Sequence, residues 1–110
     1  MGKEDTGGKG GGGDNRPYSQ LIGHVRLIKG IIHPNFTGCY ASMQLRDAPR
    51  RQICALTTDH RMQTLLETAL ATGYLVDVLA QARSIPSTAP LAGLSGEAFD
   101  ISQVTLYSQK

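Results

Sequence analysis

Long apolar runs are missing from this 110-residue chain. Nothing approaches the ~18 consecutive apolar residues that a membrane-spanning helix needs. The charged, glycine-rich start has no apolar core of the kind a secretory signal carries. The expected setting is therefore cytoplasmic, without a membrane partner. Charge of one sign is also lacking: 11 basic residues stand against 9 acidic ones, for a net charge of +2. That balance gives no argument for nucleic-acid binding by itself. Histidine is sparse, and His24, His33 and His60 share no metal-ligand spacing. Cysteine is limited to Cys39 and Cys54, too far apart in sequence for a zinc knuckle, so neither metal nor cofactor is expected. Beyond the start of the chain the carboxylates Asp47, Asp59, Glu67, Asp77, Glu97 and Asp100 are scattered. No pair has a spacing that dictates a shared acid–base site, and the chain is not expected to be an enzyme.

What is present begins with glycine. Residues 1–17 are rich in it and offer nothing to bury. Ordering that backbone would cost entropy with no compensating contact, so the segment is expected to be a disordered tail ahead of a single domain over 18–108. Tyr18 to His33 reads as one long strand whose apolar residues fall on both parities. With Gly23 and Gly30 inside it, the strand should bend and change its buried face. Phe36 to Arg46 alternates cleanly: Cys39, Ala41, Met43 and Leu45 point one way, Tyr40, Ser42, Gln44 and Arg46 the other. A turn over Asp47–Arg50 then leads to a third strand, Arg51 to Thr57, apolar enough for burial on both faces. Pairing across that turn would set Arg46 against Arg51, Met43 against Cys54 and Cys39 against Thr58, a spacing that rules out a disulfide between the thiols.

The helix is the best-marked element. Thr58 or Asp59 opens it. Met62, Leu65, Leu66, Ala69 and Leu70 form a single apolar stripe, and Gly73 ends it. Tyr74 to Ala82 is a fourth strand, Ser84 to Ala98 a long loop with two prolines and two glycines, and Phe99 to Tyr107 a fifth strand with a bulge expected near Ser102–Gln103. The order β-β-β-α-β-β resembles that of the OB-type barrel, mainly β, with the one helix capping an end of the cylinder. The resemblance rests on element order over about residues 18–108 and on no sequence motif. The alternative is an open α+β sheet with the helix on one face.

Three functional classes follow from this reading. The first is a non-catalytic binding module acting through protein contact or self-association as a homo-oligomer. Ile22, Ile28, Ile31 and Ile32 carry it, being more apolar surface on one strand than a barrel this small should hide. The alternative is single-stranded nucleic-acid binding. It would use Tyr40 for stacking and Arg26, Arg46, Arg50 and Arg51 for the backbone, on the face that OB-type barrels use for such ligands. A small enzyme or ligand carrier using the barrel mouth and the Ser84–Ala98 loop ranks last.

Overall fold

A computed structural model describes residues 16–85, 90–91, 94 and 96–110. The glycine-rich segment before Arg16 lies outside the described residues. The elements are β1 (Tyr18–His33), β2 (Phe36–Leu45), β3 (Ile53–Thr57), α1 (His60–Thr72), β4 (Val76–Arg83) and β5 (Glu97–Leu106). The strands close into a barrel in the order β1-β2-β3-β5-β4. Every pairing is antiparallel except β3 with β5, which is parallel. The open-sheet alternative is thus set aside in favour of an OB-like barrel with one capping helix. Closure suits this sequence because a flat five-stranded sheet would expose two edges along its length.

β1 serves two neighbours by bending. Its first part, Tyr18–Gly23, pairs with β4. Its second part, Gly23–His33, pairs with β2. Gly23 is the node, in register with both Leu45 and Val76. A side chain there would run into the carbonyl of Gln44 and come within 2.8 Å of the Leu45 Cα. Two residues later a bulge intervenes: Val25 pairs with Met43 but Leu27 with Ser42, leaving Arg26 as the extra residue. This is why the apolar parity of β1 switches. A second bulge lies where the fifth strand was expected to have one. Leu79 pairs with Gln103 and Ala80 with Ile101, so Ser102 is the extra residue.

The main core fills the cylinder with Leu21, Val25, Ala41, Met43, Ile53, Val76, Val78 and Phe99, among others. α1 closes one end through Leu66 and Ala69, both fully buried in that core. Its start is fixed by Asp59, whose carboxylate accepts from the backbone amides of Arg61 (2.8 Å) and Met62 (3.2 Å). Its end is fixed by Gly73 at φ 75°, whose amide donates to the Ala69 carbonyl. The expected stripe is wider than what is buried: Leu65 is half-buried and Leu70 is 41% exposed. The reason is angular. Residues on a helix advance by about 100° each, so the line bisecting Leu66 and Ala69 leaves Leu65 and Leu70 roughly 70° away on either side, at the rim.

The pairing of β2 with β3 differs by one residue from expectation. Met43 faces Ile53, Ser42 faces Cys54 and Cys39 faces Thr57. The connection is one residue shorter than read from sequence, with the Arg51 amide donating to the Ala48 carbonyl at 3.1 Å. A one-residue slip normally exposes a core face, but all five residues of β3 are buried, so burial tolerates either register. Cys39 lies on the core side and Cys54 on the outer side, and both are buried. Burial, assisted at Cys39 by the charge of Glu67, raises both thiols above their ordinary range. In the native protein neither thiol should react with a thiol reagent at neutral pH, and both should react after unfolding. A fast native reaction at either would contradict the packing.

Outside the barrel there is a second, smaller apolar cluster of Leu56, Leu91 and Ala98. Ile31, Phe36, Tyr40, Ile85 and Leu94 pack against it. Leu91 comes from the β4–β5 connection and is 3% exposed. The stretch expected as a plain loop therefore contributes, at its described residues, a cover over the outer face of β2 and β3. β5 also starts two residues before the predicted Phe99, at Glu97, whose amide donates to the Gln52 carbonyl at 2.8 Å.

Candidate functional site

Three surfaces present enough chemistry to be weighed. The first is a cleft of about 290 Å³ near the start of α1, lined by Phe36, Leu56, Met62 and Ile101 with the carboxylates of Asp59 and Asp100. Both carboxylates already hold partners. Asp100 accepts from Arg83 at 3.0 Å and lies 3.7 Å from Arg16. Asp59 caps the helix and accepts from the Arg61 guanidinium at 2.9 Å. That guanidinium and the two backbone amides hold its carboxyl down at about 2. A carboxyl held so firmly ionised is a poor proton donor near neutrality. Among the described residues no group of three or more His, Cys, Asp and Glu side chains could hold a metal ion.

This cap predicts an acid dependence. The folded pKa of Asp59 lies below its unfolded value, so its stabilisation is complete above the unfolded pKa of roughly 4. It fades as pH falls towards the folded value of about 2. Asp59→Asn, which still offers a capping oxygen, should flatten the fall of melting temperature across that window. Thermal melts from pH ~5 to ~2 read this directly; an unchanged slope would mean the carboxylate is not the cap.

The second surface is the basic and aromatic face of β1 and β2. Its members are dispersed among separate partners. Arg26, in the bulge, donates through Nε to the Gln44 side-chain oxygen at 3.0 Å, beside His24, which is in register with Gln44. Arg46 lies 3.7 Å from Asp47. Arg51 grips Glu97 with two bonds of 2.7 and 2.8 Å, which hold the Glu97 carboxyl below its usual range. Arg50 is exposed on the turn. Tyr40 is half-buried, packed against the outer cluster that includes Leu91. Lys29, which the sequence reading did not single out, stands in register beside it.

The third surface is the far half of the β1–β2 hairpin. β4 leaves β1 at Gly23. Past that point no strand among the described residues pairs with the second edge of β1, while β2 continues on the first edge to the turn at His33–Phe36. The four isoleucines divide. Ile22 is half-buried beside Asp77. Ile28 packs on the main core and Ile31 on the outer cluster. Ile32 is 92% exposed. Leu27 joins it at 48% exposed, although sequence reading passed it over. Its exposure follows from the Arg26 bulge, which turns Leu27 outward. The turn is held locally, with the Asn35 amide donating to His33 Nδ1 at 3.1 Å and the Thr37 hydroxyl to the His33 carbonyl at 3.2 Å.

The sequence matches no protein-family model, no curated protein and no solved structure. No described helix is long and apolar enough to cross a membrane.

Proposed function

We propose that this chain is a non-catalytic contact module, in which the barrel is a scaffold and the far half of the β1–β2 hairpin is the surface offered to a protein partner. The observation that carries this reading is the edge of β1 beyond Gly23, unpaired with any described strand and bearing exposed Leu27 and Ile32. An open strand edge presents a row of backbone donors and acceptors ready for another strand. Natural edges are blunted by charge, proline or bulges. Here the Arg26 bulge blunts the start of the edge, and past it Lys29 is the one charged residue before Ile32. Single-strand nucleic-acid binding is the weaker reading. Its stacking residue, Tyr40, is packed into the outer cluster, and Arg51 is committed to Glu97.

A photo-crosslinking residue at Leu27 or Ile32 tests the proposal in cells, with exposed Gln103 on β5 as the control position. Polypeptide adducts from the two hairpin positions and none from position 103 are expected. Equal labelling at all three, or none at the hairpin, would overturn it.

A further inference from the structure

We infer that the cleft beside the start of α1 is a binding site for a small neutral amide carrying an apolar group, a site separate from the hairpin surface. The cleft exists because β3 is shorter than its neighbours. Its last pairings are Thr57 with Cys39 of β2 and Leu56 with Asp100 of β5. At that end β2 extends back to Phe36 and β5 runs on to Leu106, while the chain after Thr57 turns into α1. The wedge left between the two longer strands opens to about 290 Å³, which suits a compact ligand at the lower end of the usual range. Its apolar walls come from both clusters: Ile101 from the main core, Phe36 and Leu56 from the outer one, with Met62 from the helix.

Two polar groups in the lining have bonding capacity that the described residues do not use. Thr57 is the one polar residue buried among the described residues, at 7% exposure. Its hydroxyl oxygen accepts from the Asp59 amide at 3.0 Å, and its proton has no acceptor among the described residues. A buried donor left unmet costs stability. Asp100 Oδ1 accepts from Arg83 at 3.0 Å, whereas Oδ2 has the Arg16 guanidinium 3.7 Å away, beyond hydrogen-bond reach. One donor and one acceptor beside apolar walls match an amide, whose carbonyl would take the Thr57 proton and whose N–H would donate to Asp100. Charge disfavours the ionic alternatives. A carboxylate or phosphate would face Asp59 and Asp100, and the helix amides it could use are already capped by Asp59. An ammonium ion would face carboxylates that Arg61, Arg83 and Arg16 already neutralise.

The test titrates the purified full chain with hydrocinnamamide and follows backbone amide shifts by NMR. Dose-dependent shifts centred on Thr57–Met62 and Asp100–Ile101 are expected. The methyl ester of the same skeleton, which lacks the N–H, should bind about tenfold more weakly. The corresponding carboxylate and amine should bind no tighter than the ester. Thr57→Val should weaken the amide by about tenfold, and Thr57→Ser, which keeps the hydroxyl, should match the parent. The ligand series decides the matter on its own should the valine variant fail to fold. N-acetylphenylalanine methylamide then identifies the source. Tighter binding than the free amide points to a polypeptide segment and weaker binding to a free small molecule, and either result keeps the amide chemistry. Absence of shifts at the cleft, equal binding of the ester, or undiminished binding by Thr57→Val would overturn the assignment.

Discussion

Leu66→Ala should lower the melting temperature by roughly 8–40 °C, the largest effect expected from a single truncation in α1. Leu66 has no exposed surface and sits among barrel residues from several strands. Removing its branched end forfeits the burial of those atoms and leaves a cavity that a closed cylinder collapses into poorly. Such replacements cost about 2–5 kcal/mol, and in a domain this small each kcal/mol shifts the midpoint by about 4–8 °C. Leu70→Ala is the internal comparison. Leu70 is 41% exposed at the rim, and its loss should cost less than about 1 kcal/mol. Circular-dichroism melts of the two variants decide the matter. Similar losses would mean that the helix lies on the barrel differently, and an unchanged melt for Leu66→Ala would mean that it does not plug the end at all.

Gly23→Ala should destabilise the barrel by on the order of 3 kcal/mol, although it adds a single methyl. The new carbon would point at the Gln44 carbonyl and the Leu45 Cα, both backbone. Backbone cannot rotate aside as a side chain does, so β1 and β2 must separate at the residue where β1 also meets Val76 of β4. The damage should be local before it is global. The Arg46 amide, which donates to the Ile22 carbonyl at 2.8 Å, should lose its protection from hydrogen exchange first. His24→Ala, one position along and half-exposed, should stay within about 0.5 kcal/mol of the parent. Equal stability of Gly23→Ala and the parent would show that the strands do not approach closely at this node.

These two sites mark what can be read from the residues and what cannot. The alternation of β2 is legible because one face is core and the other is half-exposed, so each residue type reports its side. Helix punctuation is legible because Asp59 and Gly73 act on their own neighbours in sequence. The pairing of β2 with β3 is not, because every side chain of β3 is buried and parity carries no information there. The bend of β1 announces itself through mixed parity, yet its placement at Arg26 depends on the pairing with β2. Leu91 gives no signal at all: a lone leucine in an irregular stretch has no period, and its burial arises from packing with Leu56 and Ala98, which are remote from it or unpatterned in sequence. The same limit applies to the candidate surface. Three of the four isoleucines prove to be partly packed, while the exposure of Leu27 follows from the Arg26 bulge, and the edge that no described strand pairs follows from where β4 leaves β1.

The parallel pairing of β3 with β5 carries a kinetic consequence. β5 follows every other strand in the chain, yet it must slot between β3 and β4 to seal the cylinder. Its contact with β3 spans more than forty residues, Ile53 to Glu97 being the first pair. While the polypeptide emerges from the ribosome, β3 and β4 each present an unsatisfied border until this last piece arrives. Non-local pairing of this kind is slow to form and leaves sticky intermediates behind when interrupted. A transcript that stops short of Glu97 should therefore yield aggregate in place of a smaller soluble unit.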